Sequence, residues 1–81
     1  MEEETLRIDR ILSLPSEAPP YTYHKTRQAL AEMTHGQILR VVVATPAAAN
    51  NIRQNIQSDG HKVLDVSHEG EDEWLVTIRR K

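Results

Sequence analysis

The side chains with which this sequence could do chemistry are four histidines, four serines, two tyrosines and a scatter of acids and bases; cysteine is missing altogether. Zero Cys excludes a cysteine nucleophile, a CxxC redox centre, a cysteine persulfide and a thiolate zinc site. His24 and His35 lie on one expected helix, about 16 Å apart along its axis at 1.5 Å per residue. His61 and His68 bracket one expected strand, about 23 Å apart at 3.3 Å per residue. A ligand pair would have to mix elements, and no carboxylate spacing supports one. Exposed polar histidines, no metal and no cofactor are therefore expected. Ser13, Ser16, Ser58 and Ser67 stand in no Gly-framed elbow and lack a neighbouring His/Asp grouping. The three glycines are isolated, so no phosphate-cradling loop is present. Asp65 and the acids of residues 69–73 sit on a strand and a turn, with no sign of a burial-shifted pair. No catalytic residue is assigned, and the chain is not expected to be an enzyme.

Recognition is the better-supported chemistry. Tyr21, Tyr23 and His24 cluster behind Pro19 and Pro20 at the start of an expected helix, where free backbone N–H groups favour a partner or a small anion. The plainer reading puts Tyr23 in the core and Tyr21 over the loop, since tyrosines commonly bury the ring and wet the hydroxyl. Lys25, Arg27, Arg40 and Arg53 could form a basic surface, although solvated helix faces account for Lys25, Arg27 and Arg53. Arg40 interrupts an apolar strand and is expected on an open sheet face, which makes it an interface candidate. The acidic run 2–4 and the basic run 79–81 read as solubilising ends.

The elements that must position these groups follow from periodicity. Residues 5–12 begin with apolar alternation, Leu6 and Ile8 on one face, and read as a strand. Residues 13–20 carry three prolines and two serines and read as a loop. Tyr23, Thr26, Leu30 and Met33 then form one helical stripe, with Pro20 at the helix start and Gly36 ending it. Residues 38–44 are apolar and β-branched except at Arg40, as in a central strand. Thr45-Pro46 is a helix start, with Thr45 capping. That helix runs to about Ser58 on a buried stripe of Ala49, Ile52 and Ile56, and Gly60 stops it. Residues 62–67 and 73–80 are strands joined by a turn at 70–72, with Trp74, Val76 and Ile78 sharing one face.

The order is β-α-β-α-β-β. Both helices link strands as right-handed crossovers, so they should cover one face of a mixed four-stranded sheet. The expected fold class is α+β, a two-layer α/β sandwich whose other sheet face meets water or a partner. With 81 residues and no thiol staple, residues 1–81 are expected to form a single domain. A net charge of −2 gives no global pull toward nucleic acid or anionic lipid. The longest apolar runs, 41–44 and 47–49, are far short of the roughly 20 residues of a bilayer span. The start is acidic, unlike a secretory signal, and the expected location is cytoplasmic.

Residues 25–36, Lys-Thr-Arg-Gln-Ala-Leu-Ala-Glu-Met-Thr-His-Gly, are similar to the first helix and closing Pro-Gly of the TusA/SirA family of small sulfur carriers. Ile38 to Val43 followed by Ala44-Thr45-Pro46-Ala47 resembles that family's second strand and the Asp-Asp-Pro-Ala opening of its second helix. Gly60-His61 and the closing strand from Trp74 also fit. The resemblance covers roughly residues 5–81 and implies the same sandwich, also seen in the C-terminal domain of bacterial translation initiation factor three. It further implies a Cys-Pro-Xaa-Pro motif at the first helix, whose Cys bears a persulfide. Counting back from Gly36, Pro19 takes the Cys position, followed by Pro20, Tyr21 and Thr22; one inserted residue gives Ala18 instead. Neither holds sulfur.

The resemblance therefore implies a thiol-less relative of sulfur carriers, acting as a partner-binding or regulatory module that cannot carry persulfide itself. Its expected surface is Pro19, Pro20, Tyr21 and His24, flanked by Lys25 and Arg27, with Arg40 as a further candidate. The expected partner is a protein of a sulfur relay or a cysteine desulfurase. The alternatives are an RNA- or ribosome-associated small domain, favoured only by fold analogy, and a structural domain that self-associates through its open sheet face.

Overall fold

The computed structural model describes residues 7–81 and contains β1 (Arg10–Leu14), α1 (Tyr21–Ala31), β2 (Ile38–Val43), α2 (Pro46–Ser58), β3 (Lys62–Gly70) and β4 (Glu73–Arg79). The sheet order is β1-β2-β4-β3, with β1 parallel to β2 and β4 antiparallel to both its neighbours. It is the expected mixed four-stranded sheet, with both helices packed on one face.

Alternation decides what each strand offers the helices. Leu39, Val41 and Val43 of β2 and Val76 and Ile78 of β4 are sealed, and Leu14 of β1 joins them. The helices answer with Ala29 and Leu30 from α1 and Ala48, Ala49, Ile52 and Ile56 from α2. Leu39, Val41, Ile52, Ile56, Val76 and Ile78 are each 0% exposed. Burying one such side chain fully is worth roughly 1.5–3 kcal/mol, so this layer holds the sandwich together.

α2 starts as its sequence dictates: Thr45 is extended, its Oγ1 accepts the Ala48 N–H at 3.1 Å, and Pro46 occupies the first helical position. Several boundaries differ from expectation; β2 and β4 each end one residue early, at Val43 and Arg79. The strand expected over 5–12 runs Arg10–Leu14, so Ser13 and Leu14 leave the expected loop; Thr5 and Leu6 lie outside the described residues. Parallel pairing with Val42 and Val43 is the reason, because it extends the strand until Leu14 reaches the core. α1 ends at Ala31 rather than beside Gly36. Gly36, at φ +84°, instead turns the chain into β2 and donates its N–H to Arg80 O at 2.9 Å.

On α1 the sealed residues are Thr22, Thr26, Ala29 and Leu30, while Tyr23 is half-buried at the edge of the core. β3 reaches Gly70, which pairs with Glu73 and leaves a two-residue turn at Glu71-Asp72. The hairpin end is closed by His68 stacked on Trp74, ring centroids 4.0 Å apart and nearly parallel.

Candidate partner-binding site

The first turn of α1 is built without a side-chain cap. Pro20 stands at the cap position, and prolines contribute no N–H. The Ala18 carbonyl oxygen folds over the helix start and accepts both the Tyr21 N–H at 2.8 Å and the Thr22 N–H at 3.3 Å. His24 N–H donates back to Pro20 O at 3.1 Å. The free donors expected for an anion are thus partly consumed inside the turn, because Ala18 precedes two residues that can neither donate nor cap. The Pro19–Pro20 peptide is cis.

What this turn presents outward is a surface of rings. Pro19, Pro20, Tyr21 and His24 are all exposed, Tyr21 at 62%. The Tyr23 and His24 rings lie 5.6 Å apart, tilted by 41°. Lys25 Nζ sits 3.4 Å from Glu17 Oε2, tying the preceding loop to the helix. Arg27 is exposed one turn beyond Tyr23. The fold therefore gathers six of the seven residues singled out from sequence along one helix start. It separates the seventh: Arg40 alternates with the core residues Leu39 and Val41, lies on the opposite sheet face, and donates from Nε to Thr77 Oγ1 at 3.3 Å. On that face Ile11, opposite Arg40 on β1, is 65% exposed.

Beneath the surface the same turn carries two polar details. Thr22 is sealed, and its Oγ1 has no hydrogen-bond partner among the described residues. Thr26, one turn on, donates its hydroxyl to Thr22 O at 2.7 Å. Tyr23 donates its hydroxyl to Asp59 Oδ2 at 2.6 Å. That bond, with burial and the charge of Asp59, holds the phenol above its usual 10.0, while Arg27 pulls the other way.

Sequence reasoning missed a concavity beside this surface. A groove of about 330 Å³ is lined by Arg27, Leu30 and Ala31 of α1, Asp59 and His61 after α2, and Arg80 and Lys81 after β4. The basic run 79–81 was expected to be a solubilising end, yet Arg80 is half-buried and donates from Nε to Leu30 O at 2.7 Å. It satisfies a carbonyl of the last turn of α1, where a cation is favoured. The local pattern holds no signal for this contact, which spans 50 residues. The Lys81 N–H donates to His61 Nδ1 at 2.9 Å. Burial first, then the charges of Arg80 and Lys81, push His61 below its usual 6.5; Asp59 opposes them. Among the described residues no group of three His, Asp or Glu side chains comes together as a metal set. No described helix is long and apolar enough to cross a membrane.

This architecture has counterparts. The profile of the family described as Sulfurtransferase TusA matches residues 11–80. The chain belongs to the TusA family. A candidate sulfur carrier protein of Archaeoglobus fulgidus is 32% identical over 80 residues, covering 99% of this chain and 91% of its own length. A second, from Thermotoga maritima, is 29% identical over 75 residues, covering 93% and 95%. The candidate sulfur carrier YedF of Escherichia coli K12 is 34% identical over 62 residues, covering 76% and 80%. The crystal structure of a SirA-like protein from Desulfitobacterium hafniense superposes with a TM-score of 0.78 at 18% identity, over 86% of this chain and 95% of that one, and so shares the fold. Within this TusA-family sequence there is no cysteine at any position.

Proposed function

We propose that residues 1–81 form one TusA-family domain that binds a protein partner through the start of α1 and carries no sulfur itself. The observation that supports this reading most is the composition of that turn. Where the family resemblance places a persulfide-bearing Cys stand Pro19 or Ala18, both exposed, within a surface of Pro20, Tyr21 and His24. A sulfur carrier holds its cargo on a thiolate, and neither side chain has an atom that can form the S–S bond of a persulfide. Rings and prolines are well suited to the remaining task, since they bury apolar area on binding with little loss of side-chain freedom.

The partner is a cysteine desulfurase or another protein of a sulfur relay, the class that sulfur carriers meet, and the site of action is the cytoplasm. The domain regulates or scaffolds that partner and is not itself an enzyme. Lys25 and Arg27 flank the rings and steer an acidic partner surface. Affinity capture from an extract of the protein's own cell should enrich a sulfur-relay or cysteine-desulfurase component. Recovery of none would reject the inherited partner.

A further inference from the structure

We infer that the groove between α1, the α2–β3 turn and the end of β4 is a binding site for a small phosphate-bearing ligand, adjoining the exposed rings at the start of α1 and sharing only Arg27 with that surface. Its volume, about 330 Å³, lies at the small end of the roughly 300–1,000 Å³ typical of ligand sites. Three cationic side chains, Arg27, Arg80 and Lys81, line it against one acidic side chain, Asp59, whose carboxylate already accepts the Tyr23 hydroxyl.

Several of these groups are held in place before any ligand arrives. Arg80 is fixed by two bonds, Nε to Leu30 O at 2.7 Å and Nη1 to Lys81 O at 2.9 Å, so its fork is oriented with Nη2 left over. The Lys81 N–H occupies the lone pair of His61 Nδ1, so a neutral ring carries its proton on Nε2 and acts as a donor. Lys81 Nζ approaches Asp59 O at 3.4 Å, and Arg27 has no side-chain partner among the described residues. Guanidinium forks match phosphate oxygens in a bidentate geometry, and fixing them beforehand lowers the entropy lost on binding. Ala31, exposed at the end of α1, adds a small apolar wall beside the cations. That wall gives the organic part of a phosphate ester a surface that free phosphate cannot use. His61 is pushed down first by burial and then by the charges of Arg80 and Lys81, with Asp59 opposing them.

The test is a titration of the full chain with inorganic phosphate, with adenosine 5′-monophosphate and with adenosine, followed by amide and imidazole NMR. The expected result is saturable binding of both phosphates, with shifts centred on Arg27, Leu30, His61 and Lys81, and none with adenosine. His61 should titrate at higher pH with phosphate bound, because an anion offsets the cations. Arg27→Gln and Lys81→Gln should each weaken binding about tenfold, the effect of removing one charge-assisted hydrogen bond. Arg53→Gln, on α2 and bonded to Asn50, should leave it unchanged. Preference for the monophosphate over the free ion identifies an ester as the source of the phosphate; equal affinity identifies the ion. Non-saturating shifts, shifts spread equally to Arg53 and Lys62, or binding indifferent to both Gln variants would overturn the site. Loss of partner capture with phosphate binding intact would reject only the reading of the α1 start, so the two failures are distinguishable.

Discussion

The Tyr23 hydroxyl donates a 2.6 Å hydrogen bond to Asp59 Oδ2, tying the first turn of α1 to the turn that follows α2. The exposed rings at the helix start are thereby braced against the second helix, and the bond crosses 36 residues of sequence. Tyr23→Phe should destabilise the protein by about 1 kcal/mol, the usual worth of a partly buried hydrogen bond. Urea unfolding reads this directly. A double-mutant cycle with Asp59→Asn should show that the two losses do not add. Because Tyr23 holds its proton above the usual 10.0, the contribution is full below that pH and fades as pH rises through the elevated value.

Thr22 and Thr26 make opposite predictions from the same helix face. Thr22 Oγ1 is desolvated with no partner among the described residues, so Thr22→Val, which keeps the branched shape, should stabilise by about 1 kcal/mol. Thr26 donates to Thr22 O, so Thr26→Val should destabilise by about 0.5–1.5 kcal/mol. Thermal melts of the two variants should move in opposite directions.

Much of this arrangement is legible in the sequence wherever the deciding contact is local. Thr45-Pro46 marks the start of α2 because a cap and a pre-set φ act within one turn. The alternation of Trp74, Val76 and Ile78 identifies the core face of β4 because one strand carries the whole pattern. What is not legible depends on partners far along the chain. Ser13 and Leu14 become strand only because β2 pairs with them. Arg80 looks like a solubilising end until it meets Leu30 O. Six of the seven candidate site residues share one helix start, which sequence spacing shows directly. The groove beside Arg27 could not be foreseen, since α1, the α2–β3 turn and the end of β4 meet only in the folded chain.

His61 sets a pH dependence of stability. Its folded pKa lies below the unfolded value near 6.5, so the unfolded chain binds the proton more readily. Stability is then full above about pH 6.5 and falls as pH drops toward the lowered folded value. Protonation at Nδ1 also displaces the Lys81 N–H. Melting temperature should decline on acidification through this window, and His61→Gln should flatten that part of the profile.

Thr45→Ala removes the side-chain acceptor for the Ala48 N–H and should lower stability by about 1 kcal/mol. Circular dichroism melts should show the loss with the binding surface at α1 unaffected.

Carriage of sulfur and binding of a partner are separable at the start of α1. Incubation with a cysteine desulfurase and cysteine should leave the natural chain unlabelled. Pro19→Cys or Ala18→Cys should acquire a persulfide mass if the surrounding scaffold remains competent to receive one.

The central claim is tested most directly by calorimetric titration of the natural protein, and of Tyr21→Asp, into the cysteine desulfurase of its own cell. Tyr21 is 62% exposed, so the substitution alters the surface and leaves the core untouched. The expected result is a saturable complex with the natural chain, weakened at least about tenfold by a charge placed among the rings. No heat with the natural chain, or equal affinity for both, contradicts a partner surface at the start of α1.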